Sequence, residues 1–191
     1  MKEPNPRFDD ALSLLTFLKE NKSFDIRAPI DIDRVAQELG ICVEFDISLQ
    51  QKDIIGEIFF VDEKPIVKIN PLQNSYSPRR RFTLAHEIGH YCLHSADSKR
   101  GFVDSQKTMS RTESYWDSYE SEANSFAAQL LMPFTLLLEE GTQIIAEYLS
   151  RELKKTMPTG IFIEVMADKF GVSSKAMEYR LKNIGVIDNL E

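Results

Sequence analysis

Cysteine is scarce: Cys42 and Cys92 are the only two in 191 residues. They are too few for a disulfide framework and read as ordinary thiols of a reducing compartment. Long apolar runs are missing as well. None approaches the ~20 residues that a membrane-spanning helix needs, and Met1-Lys2-Glu3-Pro4-Asn5-Pro6 lacks the apolar core of a signal peptide. Basic excess is also absent. Lysine and arginine number 23 against 30 acidic residues, a formal charge of −7, which argues against a broad nucleic-acid face. These absences predict a cytoplasmic chain with no membrane contact. What is present, 42% hydrophobic and 28% charged residues, suffices for a packed core and an ordinary soluble surface. The length suits one domain or a domain with a small appendage, and no internal repeat or low-complexity tract interrupts it.

Periodicity supplies the outline. Phe8, Leu12, Leu15 and Leu18 fall at helical spacing between Phe8 and Phe24. A short helix is predicted from Asp31 to Leu39, stopped by Gly40. Ile41–Phe45, Gly56–Val61 and Pro65–Asn70 read as strands, the last two joined through Asp62-Glu63-Lys64 as a hairpin. Ser77-Pro78 is a good helix start, and that helix should run to about His94. Ser95–Thr112 is polar and reads as a loop over or beside it. A further helix fits Ser118–Met132 and ends at Pro133. Another fits Gln143–Lys155, with Met157-Pro158-Thr159-Gly160 as a linker to the last segment. The division expected is residues 1–140 as one domain and residues 141–191 as a C-terminal helical segment.

The string that carries chemistry is His86-Glu87-Ile88-Gly89-His90, which uses two of the three histidines in the chain. On a helix, residues i and i+4 lie ~40° apart around the axis and ~6 Å along it. Two imidazoles so placed can converge on one ion at about 2.0–2.1 Å each. Glu87, turned ~100° from His86, can stand beside the metal without ligating it, as a base toward water requires. Imidazole and carboxylate donors favour zinc, although manganese or iron could occupy such a set. The competing explanation is a chance pentapeptide on an amphipathic helix.

Catalytic zinc normally takes three protein ligands plus water. His94 continues the i, i+4, i+8 series, but on an unbroken helix it lies ~12 Å along the axis from His86. It is expected to line the cleft, support a ligand or pack. The third ligand is sought in Glu120-Ser121-Glu122-Ala123-Asn124. Glu120, Ala123, Asn124 and Ala127 share one helix face, whereas Glu122 points away and is expected to be solvated or peripheral. The alanines would allow a close approach to the His86 helix, and Asn124 could hold a ligand imidazole by its free ring nitrogen. Alternatively, Asp117 and Glu120 form a capping box that starts the helix.

Arg81-Phe82-Thr83-Leu84-Ala85-His86-Glu87-Ile88-Gly89-His90, followed by Leu93-His94, resembles the signature of the ImmA/IrrE metallopeptidases. The run Glu120 to Pro133 resembles that family's second block. The resemblance covers about residues 30 to 133. It implies an α+β, zincin-like fold with a small twisted β-sheet beside the active-site helix. It also implies one zinc ion on His86 and His90, and Glu87 as the catalytic residue. In the family pattern the third ligand precedes the Asn or Asp by four residues, which selects Glu120 over Glu122. It further implies a protein substrate, a helix-turn-helix repressor of a mobile element or stress response.

Val165–Met177 has helix-turn-helix character around Gly171-Val172-Ser173. From Gly160 onward, however, Lys169, Lys175, Arg180 and Lys182 are outnumbered by Glu164, Asp168, Glu178, Asp188 and Glu191, so a packing module is favoured over a nucleic-acid contact. Arg79-Arg80-Arg81 reads as a solvated charge run, and Cys92 as a buried thiol. Tyr115 and Tyr119 are possible donors to an oxyanion. An extended substrate is expected to add to the sheet edge carrying Ile58 or Ile66. Three functions compete: a zinc endopeptidase, a catalytically silent zincin-like protein that sequesters a repressor, and a DNA-binding regulator.

Overall fold

The computed structural model describes residues 8–94, 102–105, 117–152 and 156–187. Helix α1 (Ala11–Lys22) starts on a reciprocal cap in which Asp10 accepts from the Ser13 backbone N–H. Helix α2 (Ile32–Glu38) is capped by Asp31. Strand β1 (Cys42–Phe45) follows, then a 3₁₀ segment at Ile47–Lys52 that the sequence pattern does not announce. Strands β2 (Ile54–Val61) and β3 (Lys64–Ile69) form the expected hairpin. Asp62 and Glu63 both carry positive φ, at 47° and 65°. That is the two-residue turn whose twist matches that of the strands it joins.

Helix α3 (Ser77–His94) is continuous. Strand β4 (Phe102–Ser105) lies within the stretch expected to be a loop, and it pairs antiparallel with β2. The rest of that stretch lies outside the described residues, as does Tyr115. Helices α4 (Asp117–Leu131), α5 (Phe134–Glu152), α6 (Thr159–Phe170) and α7 (Ser174–Asn183) complete the chain. Helix α5 begins nine residues earlier than its periodicity suggests and crosses residue 140 without a break. The supposed linker is shorter than expected, since α6 already begins at Thr159. No helix among the described residues is long and apolar enough to cross a membrane.

The sheet order is β1-β3-β2-β4, with β1 parallel to β3 and the other pairs antiparallel. This corrects the expected substrate edge. Ile58 lies opposite both Val67 and Phe102, and Ile66 opposite both Cys42 and Phe59. Both strands are interior, their backbone groups already committed, so among the described residues β1 and β4 are the edges.

Helix α3 lies between this sheet and α4. Everything from Thr83 to Cys92 is buried, and the core extends from Leu14 and Leu18 of α1 through Leu84 and Ile88 to Leu130 and Leu131 of α4. Phe162, Met166, Phe170, Met177 and Leu181 of the last two helices belong to the same cluster.

Two arginines lock those helices down. Arg81, in α3, donates from Nε to the Gly171 carbonyl at 3.0 Å and from Nη2 to the Ile30 carbonyl at 2.8 Å. Gly171 holds φ +62 at the end of α6, where a Cβ would sit 3.1 Å from Arg81 Nε. In return, Arg180 of α7 donates to the Met132 carbonyl just beyond α4 at 3.2 Å. Cations at helix C-termini satisfy carbonyls the helix cannot and complement its dipole. The arginine run is therefore not uniformly solvated: Arg80 makes a two-pronged pair with Asp33, Arg81 is half-buried and only Arg79 is exposed. Charge-assisted hydrogen bonds of this kind contribute about 1.5–3 kcal/mol each. Arg81→Met should accordingly lower unfolding stability in urea by about 2–3 kcal/mol, while Arg79→Met should leave the midpoint in place.

Candidate metal centre

An enclosed helix normally carries apolar side chains, because burying a polar group without a partner is costly. On α3 the residues His86, Glu87 and His90 are wholly buried and His94 is nearly so. The His86 and His90 rings converge rather than scatter. His86 Nε2 and His90 Nε2 lie 3.0 Å apart, and each is 3.3 Å from one oxygen of Glu120 on α4. Among the described residues, these three side chains form a buried group whose ligand atoms all lie within 4.8 Å of one another. Four-coordinate zinc with bonds of about 2.0–2.1 Å has ligand-to-ligand edges of about 3.3 Å, so the triangle has the size such an ion requires. The donor set, two imidazoles and a carboxylate, has the right chemistry and could hold a metal ion.

The protons are arranged for it. Asn124 Oδ1 lies 3.1 Å from His86 Nδ1. An amide oxygen only accepts, so a proton is on Nδ1 and, in the neutral ring, the Nε2 lone pair faces the centre. Burial alone would raise the Glu120 carboxyl. Protonated His86 and His90 rings hold the group below the usual carboxylate range by hydrogen bonding and attraction. Where their Nε2 lone pairs face the centre instead, a cation there would do so, and Glu120 presents an anion to it. Its oxygens face the rings, and the side chain of Asp117 lies outside the described residues, so the capping alternative gains nothing here.

Helix packing brings Glu120 within reach. Gly89 faces Ala123: a Cβ at position 89 would lie 3.1 Å from the Ala123 carbonyl oxygen and 3.3 Å from Phe126 Cβ. Any larger residue would push α4, and Glu120 with it, away from the rings. His94 does not reach the centre. Its Nδ1 is 3.1 Å from His90 Nδ1, its Nε2 is 3.0 Å from Glu122 Oε2, and the Tyr119 ring meets it edge-on at 4.6 Å. Glu122 is mostly exposed but not merely solvated, because its flexible stem reaches back to His94. Cys92 is buried, which pushes its thiol up and leaves it unreactive.

Gly56 is the position the sequence reading missed. A Cβ there would lie 2.6 Å from Glu87 Oε1 and 2.8 Å from Thr83 Cγ2, so the Glu87 carboxylate occupies the space a β2 side chain would fill. Next to it, a register shift between β2 and β4 falls between Ile54 and Gly56. Buried asparagines hold that irregular backbone: Asn70 Nδ2 donates to the Ile54 carbonyl, and Asn74 Nδ2 to the Ile55 carbonyl. Thr83 Oγ1 donates to Asn74 Oδ1 at 2.7 Å, tying the same backbone to α3 one turn before Glu87. A glycine within a strand pattern is the available signal for such an approach, and it reads equally well as an ordinary strand end.

The family model for the IrrE N-terminal-like domain, Peptidase_M78, matches residues 36–182. Metallopeptidase ImmA of Bacillus subtilis (strain 168) is 28% identical over 116 residues, which cover 61% of this chain and 57% of that protein. The match thus spans little more than half the length of that relative.

Gly56→Ala should destabilise the protein by about 1–3 kcal/mol through overpacking. Adding Glu87→Ala, which removes the oxygen the new methyl meets, should recover part of that loss. Strict additivity of the two changes in urea unfolding would show that the contact is not the cause.

Proposed function

The chain belongs to the Peptidase_M78 family of IrrE N-terminal-like domains, and on that footing we propose that it is a zinc-dependent endopeptidase. His86, His90 and Glu120 hold the ion, Asn124 orients His86, and Glu87 is the general base. The observation that carries the reading is the buried His86–His90–Glu120 triangle with the Glu87 carboxylate on the next position of the same helix. Imidazole and carboxylate donors at tetrahedral spacing favour zinc over the larger, oxygen-preferring ions.

When bound, the metal supplies Lewis acidity toward a scissile carbonyl and acidifies water. Glu87 takes the proton from the attacking water and hands it to the departing amine. Its carboxylate is fixed by the notch at Gly56, so little motion is needed before reaction. The substrate is a protein segment in extended form, added to edge strand β4, which pairs with the strand that carries Gly56. Its class is a helix-turn-helix repressor, a proposal that rests on the resemblance to ImmA/IrrE proteins. Nucleic acid is not the ligand of the last two helices in this reading. Arg180 is half-buried and donates to the Met132 carbonyl, and Lys169 and Lys182 are paired with Glu140 and Glu178, which leaves little of the basic footprint such contact needs.

The purified protein, incubated with a candidate repressor, should cut it in the presence of zinc and stop when the metal is chelated. Glu87→Gln should retain zinc and lose about 10²–10⁴-fold in cleavage rate. Retained full activity in that variant would sink the mechanism. A stable complex with the repressor and no cleavage under any metal condition would replace the endopeptidase by a sequestering protein.

A further inference from the structure

His86 and His90 are anchored in different ways. His86 leans on an amide oxygen, which can only accept. His90 leans on another imidazole, His94, through Nδ1 to Nδ1 at 3.1 Å. A ring nitrogen can be donor or acceptor, so this contact by itself leaves open which His90 nitrogen carries the proton. If Nδ1 of His90 accepted, its Nε2 would bear a hydrogen pointing into the triangle and no ion could enter.

Glu122 removes that ambiguity. Its Oε2 lies 3.0 Å from His94 Nε2, and a carboxylate oxygen only accepts. His94 therefore carries a proton on Nε2, and in the neutral ring its Nδ1 is left with a lone pair. That lone pair takes the Nδ1 hydrogen of His90, which turns the His90 Nε2 lone pair to the centre. The edge-on Tyr119 ring, 84° from the His94 plane, keeps His94 oriented to serve both ends. His90 and His94 are buried while the Glu122 side chain is 59% exposed, so the series ends on a hydrated anion at little desolvation cost.

We infer that His94 and Glu122 are positioning residues that hold His90 in its metal-accepting tautomer, a relay from the buried triangle to the surface. The inference rests on the reading of His86, His90 and Glu120 as metal ligands. Supporting groups of this kind typically alter metal affinity by about 10–100-fold.

The test uses the full chain in two measurements. Imidazole nitrogen NMR on the chelated protein, which holds only three histidines, reads the His90 tautomer without metal. Competition with a chromophoric chelator reads zinc affinity. In the wild type, His90 should be protonated at Nδ1. His94→Phe, which keeps a ring against Tyr119 but no nitrogen, should mix the His90 tautomers and weaken zinc by about 10–100-fold. His94→Gln, with one acceptor for His90 and one donor for Glu122, should recover part of the loss. Glu122→Gln keeps an acceptor and should stay near wild type, whereas Glu122→Leu should follow His94→Phe with a smaller effect. Wild-type zinc affinity in His94→Phe, or a proton on His90 Nε2 in the chelated wild type, overturns the relay while leaving the metal site standing. A wild-type chain that binds no zinc overturns the metal reading and the relay with it.

Discussion

The contact of Gly89 with Ala123 is the constraint on which the metal centre depends. Helices usually pack 8–10 Å apart, a distance set by the side chains at the crossing. At this crossing one partner has no side chain and the other has a methyl group. The approach is close enough for a carboxylate from α4 to meet two imidazoles from α3. Every other feature of the centre presupposes it: without that spacing Glu120 would not lie 3.3 Å from both rings, and Asn124 would not reach His86.

Close packing encloses α3 and raises a second requirement. Polar side chains inside a protein must find partners, and half-satisfied networks are worse than none. Around α3 the partners are specific in direction. Asn124 accepts from His86, and Glu122 orders His94 and, through it, His90. On the sheet side, Asn70 and Asn74 add side-chain donors to the carbonyls along the irregular part of β2. That irregularity sits beside Gly56, which makes room for the Glu87 carboxylate. Strand irregularities next to reactive groups serve to aim a side chain, and here the aim is achieved by removing one.

The last two helices act on the centre indirectly. Their turn has the helix-turn-helix spacing, yet α7 buries Met177 and Leu181 and commits Arg180 to the Met132 carbonyl. Arg81 and Arg180 each satisfy carbonyls at a helix end on the other side of the junction, so the C-terminal pair braces the start of α3 and the end of α4. A pattern shared with DNA readers here describes how two helices are joined, not what they bind.

Much of this was legible before folding because it depends on local periods. The spacing of His86 and His90 and the shared face of Glu120 and Asn124 follow from 3.6 residues per turn, and the β2–β3 hairpin follows from a two-residue turn between alternating strands. Features that depend on residues far apart in the chain were not legible. Strand β4 is four residues of little pattern, and its pairing with β2 is what makes it a strand. That pairing makes β2 interior and so moved the available edge from Ile58. Gly56 meets Glu87 across 31 positions of sequence, and Glu122 meets His94 across 28, against the direction its helical angle suggests. Local periodicity places side chains on a face of their own helix. Which nitrogen carries a proton, and which missing side chain leaves room for a carboxylate, is settled by neighbours that only the packed chain supplies.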